Sequence, residues 1–298
     1  MSELHSLSIE GHTLVATEHN SNAAGTPIIF IHGILGSIFL QEPVLADVLA
    51  GYHWYSLSLP GHYPATLNQS FAPHDLTPEF MGRIMSEAVR QLTGGGPARL
   101  LGHSTGGYAS LTVAHTAPEL VESICLVDAF AFGRWGSPAL RPGQLMANLP
   151  GIGRAVFITY TRRTMGKPAI VKLFLRYASH NVQAMRQNPC YEETIRLTLR
   201  DSAQLDSASL YPYFHNMPHT NIIEWLRDIT LPVTVLHGDC DPIIPPQHGE
   251  EMARALPNSR LQWFRQTGHL PYIENVEEFT RFVQAWAAQT LAGSEAVV

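Results

Sequence analysis

The stretch Ala98-Arg99-Leu100-Leu101-Gly102-His103-Ser104-Thr105-Gly106 decides the fold. Its first half is a short, mostly apolar run of the kind that forms a buried parallel strand, and Gly106 to Thr116 has the length of a helix. Gly102 and Gly106 bracket the serine in the pattern G-x-S-x-G, where the glycines permit a tight strand-to-helix turn. Such a turn lifts the Ser104 hydroxyl to the strand's carboxyl end, near the positive end of the following helix. Five residues are a weak signal alone, because a serine in a turn also serves as a helix cap. The other parts of an acyl-transfer site must therefore occur in the required chain order.

A serine hydroxyl is a poor nucleophile at neutral pH and needs a base whose imidazole is oriented by a carboxylate. Both follow Ser104. After the apolar run Pro232 to His237 comes Gly238-Asp239-Cys240-Asp241-Pro242-Ile243-Ile244-Pro245, a carboxylate-bearing loop at a strand's carboxyl end, where open parallel sheets place their sites. Near the end comes Gln266-Thr267-Gly268-His269-Leu270-Pro271, in which the glycine lets the chain turn and present His269. Upstream, His32-Gly33 closes the run Pro27 to Ile31, so the backbone N–H groups of Ile34 and Thr105 can converge on a developing oxyanion. Taken singly, each feature has a plainer reading as a loop histidine or a strand-ending turn. Their order along the chain favours the catalytic one.

Further outward, Leu4 to Glu10 and His12 to His19 alternate apolar and polar residues around Gly11 and predict an antiparallel hairpin. Trp54 to Leu59, Ser123 to Asp128 and Arg260 to Phe264 predict further strands, and Glu79 to Leu92, Gly249 to Leu256 and Val276 to Leu291 predict helices. Strands alternating with helices mean a mostly parallel α/β sheet. The alternation lapses over residues 129–228, where helical patterning continues without a central strand, so this segment is expected to be a helical cap inserted into a core made of 1–128 and 229–298. The cap carries 12 Lys/Arg and 6 Asp/Glu, a net of +6, which leaves −12 for the rest of a chain whose net charge is −6. The simplest consequence is attraction between the two lobes; the other is guidance of anionic substrates or membrane headgroups.

The 298 residues suffice for a substantial core, and a charged fraction of 15%, against about 25% in an ordinary soluble domain, argues against disorder. The negative net charge argues against nucleic acid as a partner. No run approaches the roughly 18 to 20 apolar residues of a membrane span, so stable membrane insertion is not expected. The three cysteines, Cys125, Cys190 and Cys240, form no disulfide framework and suit a reducing cytoplasm. Fifteen histidines raise the question of a metal, but they are scattered and form no HExxH motif or Cys/His knuckle, so none is expected.

Through His32-Gly33, Leu59-Pro60-Gly61-His62, Gly102 to Gly106, Gly238 to Pro245 and Gly268-His269, the chain resembles the α/β-hydrolase superfamily. The resemblance spans nearly everything outside the cap. It implies a mostly parallel eight-stranded sheet flanked by helices, Ser104 as nucleophile, His269 as base and Asp241 as the orienting acid. Asp239 is the next choice for the acid and Asp128, at the end of its strand, a third. Haloalkane dehalogenases and α/β-fold epoxide hydrolases resemble this architecture but carry an aspartate where this chain has Ser104, which disfavours their reactions.

A Ser-His pair fits acyl transfer, so the expected activity is hydrolysis of small to medium, largely apolar carboxylic esters, with a small-molecule ester as partner and no cofactor. Other chemistry on the same scaffold, namely carbon–carbon bond hydrolysis, lactone opening or a lyase reaction, is the alternative; His32-Gly33-Ile34-Leu35-Gly36-Ser37 resembles a phrase of the menaquinone-pathway lyases. A ligand receptor with this fold is a further class. Trp135, Phe157, Tyr160, Phe174, Tyr211, Tyr213 and Phe214 are cap aromatics that either line a pocket or stabilise the insertion, with His215 and His219 as further specificity candidates. The sequence sets no oligomeric state.

Overall fold

The apolar runs fold into one sheet of eight strands in the order β1-β2-β4-β3-β5-β6-β7-β8. The computed structural model describes residues 3–133 and 140–288. β1 (Glu3–Ile9) and β2 (His12–His19) form the expected hairpin, turning at Gly11 with a φ of 79°. β2 then pairs antiparallel to β4 (Trp54–Leu57). From there the sheet is parallel through β3 (Ile28–Ile31), β5 (Ala98–His103), β6 (Val121–Val127), β7 (Val233–Gly238) and β8 (Ser259–Phe264). Every residue of β3, β4, β5 and β7 is buried, which is why these strands read as continuous apolar runs rather than alternating ones.

From β3 the chain crosses first to β4 on one side and later to β5 on the other. This reversal opens a crevice beyond the carboxyl ends of β3 and β5, the place where open α/β sheets take their ligands. The helix Pro78–Thr93, capped by the Thr77 side chain on Phe80 N and closed by Gly94 at φ 63°, packs against the helix Thr105–Thr116 that follows β5. The last helix runs Val276–Ala287, and Leu291, where it was expected to end, lies outside the described residues.

Between β6 and β7 the described residues contain no strand and six α-helices, Arg141–Ala147, Gly153–Thr164, Pro168–Ala178, Val182–Gln187, Tyr191–Ser202 and Ser207–Asn216. The chain enters and leaves this insertion through a neck, where Phe132 bridges Asn221, Gly133 N donates to Thr220 O at 2.7 Å and Ile222 N to Ala131 O at 2.8 Å. Among the described residues, attraction between the lobes does not take the form of ion pairs. Among the described residues no Arg or Lys of residues 129–228 pairs with an acidic side chain outside that segment; Arg196, Arg200 and Arg227 pair with Glu193, Asp201 and Glu224, each within three residues along the chain. No helix among the described residues is long and apolar enough to cross a membrane.

Candidate active site

The turn after β5 is held by small residues against the crevice. Ser104 has φ 53° and ψ −117°, a conformation that costs a non-glycine residue about 1–3 kcal/mol and persists because its surroundings over-determine it. Those surroundings are backbone: a Cβ on Gly106 would stand 2.0 Å from Ile31 O, and one on Gly102 2.5 Å from Gly106 O. A Cβ on Gly33 would meet the Cβ of Ser104 at 3.1 Å, so the loop leaving β3 lies directly on the serine. Leu35 in that loop also has a positive φ, 63°. Among the described residues, the amides of Ile34 and Thr105 serve no other hydrogen bond, which leaves both available to an acceptor in the crevice.

The loop after β7 fixes Asp241. Its Oδ1 accepts from Ile243 N at 2.7 Å and Ile244 N at 2.9 Å, while its Oδ2 accepts from His269 Nδ1 at 2.6 Å. The other two carboxylate candidates are placed differently. Asp239 faces Arg265 at 3.7 Å. Asp128, with a positive φ of 47°, accepts from Gly238 N at 2.7 Å through Oδ1, while its fully buried Oδ2 has no hydrogen-bond partner among the described residues. Burial pushes the carboxyls of both Asp128 and Asp241 well above the usual range, and the charge of Asp241 raises Asp128 further. Asp241 accepts three hydrogen bonds against one by Asp128, so its ionised form is the better supported of the two.

Burial drives the His269 imidazole down to about 3, so it is neutral at physiological pH, with Nδ1–H given to Asp241 and Nε2 left as the basic atom. Ser104 and His269 both line one cavity of about 170 Å³, together with Ile34, Leu35, Ile243 and Leu270 of the core. The insertion closes it with Leu140, Phe157, Met165, Val171 and Phe174. Ser104 Oγ and His269 make no hydrogen bond with each other in this structure; such contacts commonly tighten only when substrate is bound.

Of the insertion's aromatic residues, Phe157, Tyr160, Phe174 and Phe214 line the cavity. Tyr213 instead donates to Pro60 O at 2.8 Å and packs edge-on against His62, while Tyr211 donates to Ala147 O at 3.2 Å, so both are structural. His215 also bonds Ala147 O, and His219 is exposed outside the lining. Trp135 lies outside the described residues.

Two residues that hold His269 were not singled out from the sequence. His103 Nε2 donates to His269 O at 2.9 Å, tying the histidine loop to the strand that carries the serine. Glu274 accepts from the amides of Gly268, Leu270, His180 and Asn181, at 2.8 to 3.3 Å, and so clasps the His269 loop and the insertion together. An acidic residue inside the short apolar helix Pro271–Glu274 was the available signal. His269 N itself donates to Ala178 O at 2.8 Å.

A family model described as the alpha/beta hydrolase fold matches residues 26–276. The uncharacterized hydrolase YugF of Bacillus subtilis is 25% identical over 85% of this chain and 86% of its own. The pimeloyl-[acyl-carrier protein] methyl ester esterase of Neisseria meningitidis serogroup A is 26% identical over 85% of this chain and 73% of its own. Among solved structures, a thermophilic esterase from Thermogutta terrifontis superposes with a TM-score of 0.74 at 20% identity, covering 96% of this chain and 98% of that one.

Proposed function

The chain belongs to the α/β-hydrolase family, and on that premise we propose that it hydrolyses carboxylic esters of small to medium, largely apolar acids through a Ser104-His269-Asp241 triad. One observation carries the reading: a strained Ser104 shares an apolar cavity with a neutral His269 whose Nδ1 is held 2.6 Å from Asp241. In this mechanism Ser104 Oγ attacks the ester carbonyl while His269 Nε2 takes its proton, and the N–H groups of Ile34 and Thr105 stabilise the oxyanion. Collapse expels the alcohol, protonated by His269, and leaves an acyl-enzyme. Water, deprotonated by the same imidazole, then releases the acid and restores Ser104. Asp241 keeps the imidazole in the tautomer with Nδ1–H and steadies its transient positive charge.

The volume supports a modest acyl group, since a cavity of similar size, about 150 Å³, holds a benzene-sized guest. We read residues 129–228 as the cap that sets this volume over a core of 1–128 and 229–298. The free thiols of Cys125, Cys190 and Cys240 support a cytoplasmic site of action. The ester names of the Neisseria and Thermogutta proteins support the same substrate class. The test is steady-state hydrolysis of p-nitrophenyl esters from acetyl to palmitoyl, with Ser104→Ala as the blank. Many turnovers per chain, greatest at short or medium acyl length and absent from Ser104→Ala, are expected. Turnover that survives Ser104→Ala, or none in the parent, refutes the reading.

A further inference from the structure

The insertion has an outer face that the ester reading does not use. From residue 129 to 191 the chain carries nine Arg and Lys and no Asp or Glu, although the whole protein is acidic. Arg141, Arg154, Arg162, Arg163, Lys167, Lys172, Arg176 and Arg186 are all exposed, and none has an ion-pair partner among the described residues. The same segment concentrates exposed aliphatic surface. Of the seven large hydrophobic side chains exposed among the described residues, six lie between Leu145 and Leu173, with Leu145 and Leu173 each 63% exposed and Ile152 59%.

The helix Pro168–Ala178 shows how the two features are arranged. Val171, Leu175 and Ala178 form its buried side. Ile170, Leu173, Phe174 and Tyr177 follow one another at helical spacing along a second side, which is partly exposed, and Lys172 and Arg176, four residues apart, make the third. Tyr160 and Ile170 are exposed and also line the cavity, so the cavity mouth opens within this apolar and basic face.

We propose that this face docks on an anionic lipid surface, with Tyr160, Ile170 and Leu173 entering the acyl boundary, the surrounding cations meeting headgroup phosphates, and the cavity mouth turned toward the lipid. Positive charge alone would suit an acidic protein equally well. The exposed aliphatic side chains decide for lipid, because apolar surface flanked by Lys and Arg is the composition of interfacial helices. The docking stands independently of the ester reading; only the advantage of drawing apolar substrate from the lipid rests on it.

The test is co-sedimentation of Ser104→Ala protein with vesicles of phosphatidylcholine alone and with vesicles of equal parts phosphatidylcholine and phosphatidylglycerol. Binding to the anionic vesicles, weakened by salt, is expected. Lys172→Gln with Arg176→Gln should weaken it by about 25-fold, at about fivefold per charge, and Leu173→Ser should weaken it further. In the Ser104 parent those substitutions should leave hydrolysis of a short soluble ester unchanged, which separates docking from catalysis. Equal binding to neutral vesicles, no binding to either, or indifference to the Lys172, Arg176 and Leu173 substitutions overturns the proposal. Binding to soluble polyglutamate but not to vesicles also overturns it and assigns the face to an acidic protein.

Discussion

Lowering the pH from 7 to 5.5 should destabilise this protein more than its modest charge suggests, because its core holds histidines that have no room for a second proton. Burial pushes His32 down to about 4 and His62, His103, His237 and His269 to about 3. The hydrogen bonds agree: His32 gives Nδ1–H to Gly33 O at 2.8 Å and accepts from Leu59 N at Nε2, so protonating Nε2 would set two donors against each other. An unfolded histidine titrates near 6.5, so below that pH the unfolded chain binds protons that the folded chain refuses. The stability is complete above pH 6.5 and is lost as pH falls. One unit below, each such histidine forfeits about 1.4 kcal/mol, about 7 kcal/mol for the five.

Carboxyls raised by burial act in the opposite sense, since the folded state takes up their protons first. Asp128, Asp241 and Glu274, all raised by burial, together return at most about 4 kcal/mol over that unit. The net loss, at least about 3 kcal/mol, is a large share of a stability of about 5–15 kcal/mol. Urea unfolding at a series of pH values measures the slope directly. His62→Phe is the sharpest variant, because His62 Nε2 has no partner and its ring packs against Tyr213; it should reduce the slope below pH 6.5 by about 1.4 kcal/mol per unit. Stability that is flat between pH 7 and 5, or a His62→Phe slope equal to the parent's, refutes the reasoning.

Asp241→Asn should lower kcat by about 10⁴-fold, as loss of the tautomer-setting carboxylate does in other triads, whereas Asp239→Asn should stay within a few-fold; p-nitrophenyl ester kinetics rank the two, and the reverse order would move the acid. Gly106→Ala places a methyl group 2.0 Å from Ile31 O and should cost about 3 kcal/mol or more, so an unchanged melting temperature would contradict the close packing of this turn. Glu274→Ala strands four amides around His269 and should cost at least about 2 kcal/mol. Its kcat should fall even where the protein is fully folded, and full activity there would show that the clasp does not position the base.

What the chain states locally was legible. The apolar runs of β3, β5 and β7 announce buried strands because both faces of each are covered, and Gly102 and Gly106 announce their turn because any side chain there would collide with backbone. The choice among carboxylates was not legible, since Asp239 and Asp241 share one loop and only the amides of Ile243 and Ile244 select the one that meets His269. Nor was the division of labour among the insertion's aromatics. Phe214 lines the cavity and Tyr213, its neighbour, bonds Pro60, a difference set by which side of the helix Ser207–Asn216 meets the core. His103 and Glu274 escaped notice because their partners are backbone atoms remote in sequence, which no residue pattern encodes.

The bond from His269 N to Ala178 O, with Glu274 spanning from Gly268 and Leu270 to His180 and Asn181, ties His269 to the chain after the helix Pro168–Ala178 as much as to the core. On the proposed mechanism, specificity and catalysis are therefore not separable modules in this chain. A chimera that imports a foreign roof through the neck at Phe132 and Asn221 would keep the serine, which the core positions, yet set the imidazole adrift unless residues 178–181 travelled with their clasp. Drift in substrate preference, by the same linkage, is confined to side chains on the cavity wall, because a shift of the Pro168–Ala178 backbone would be felt at the reacting nitrogen.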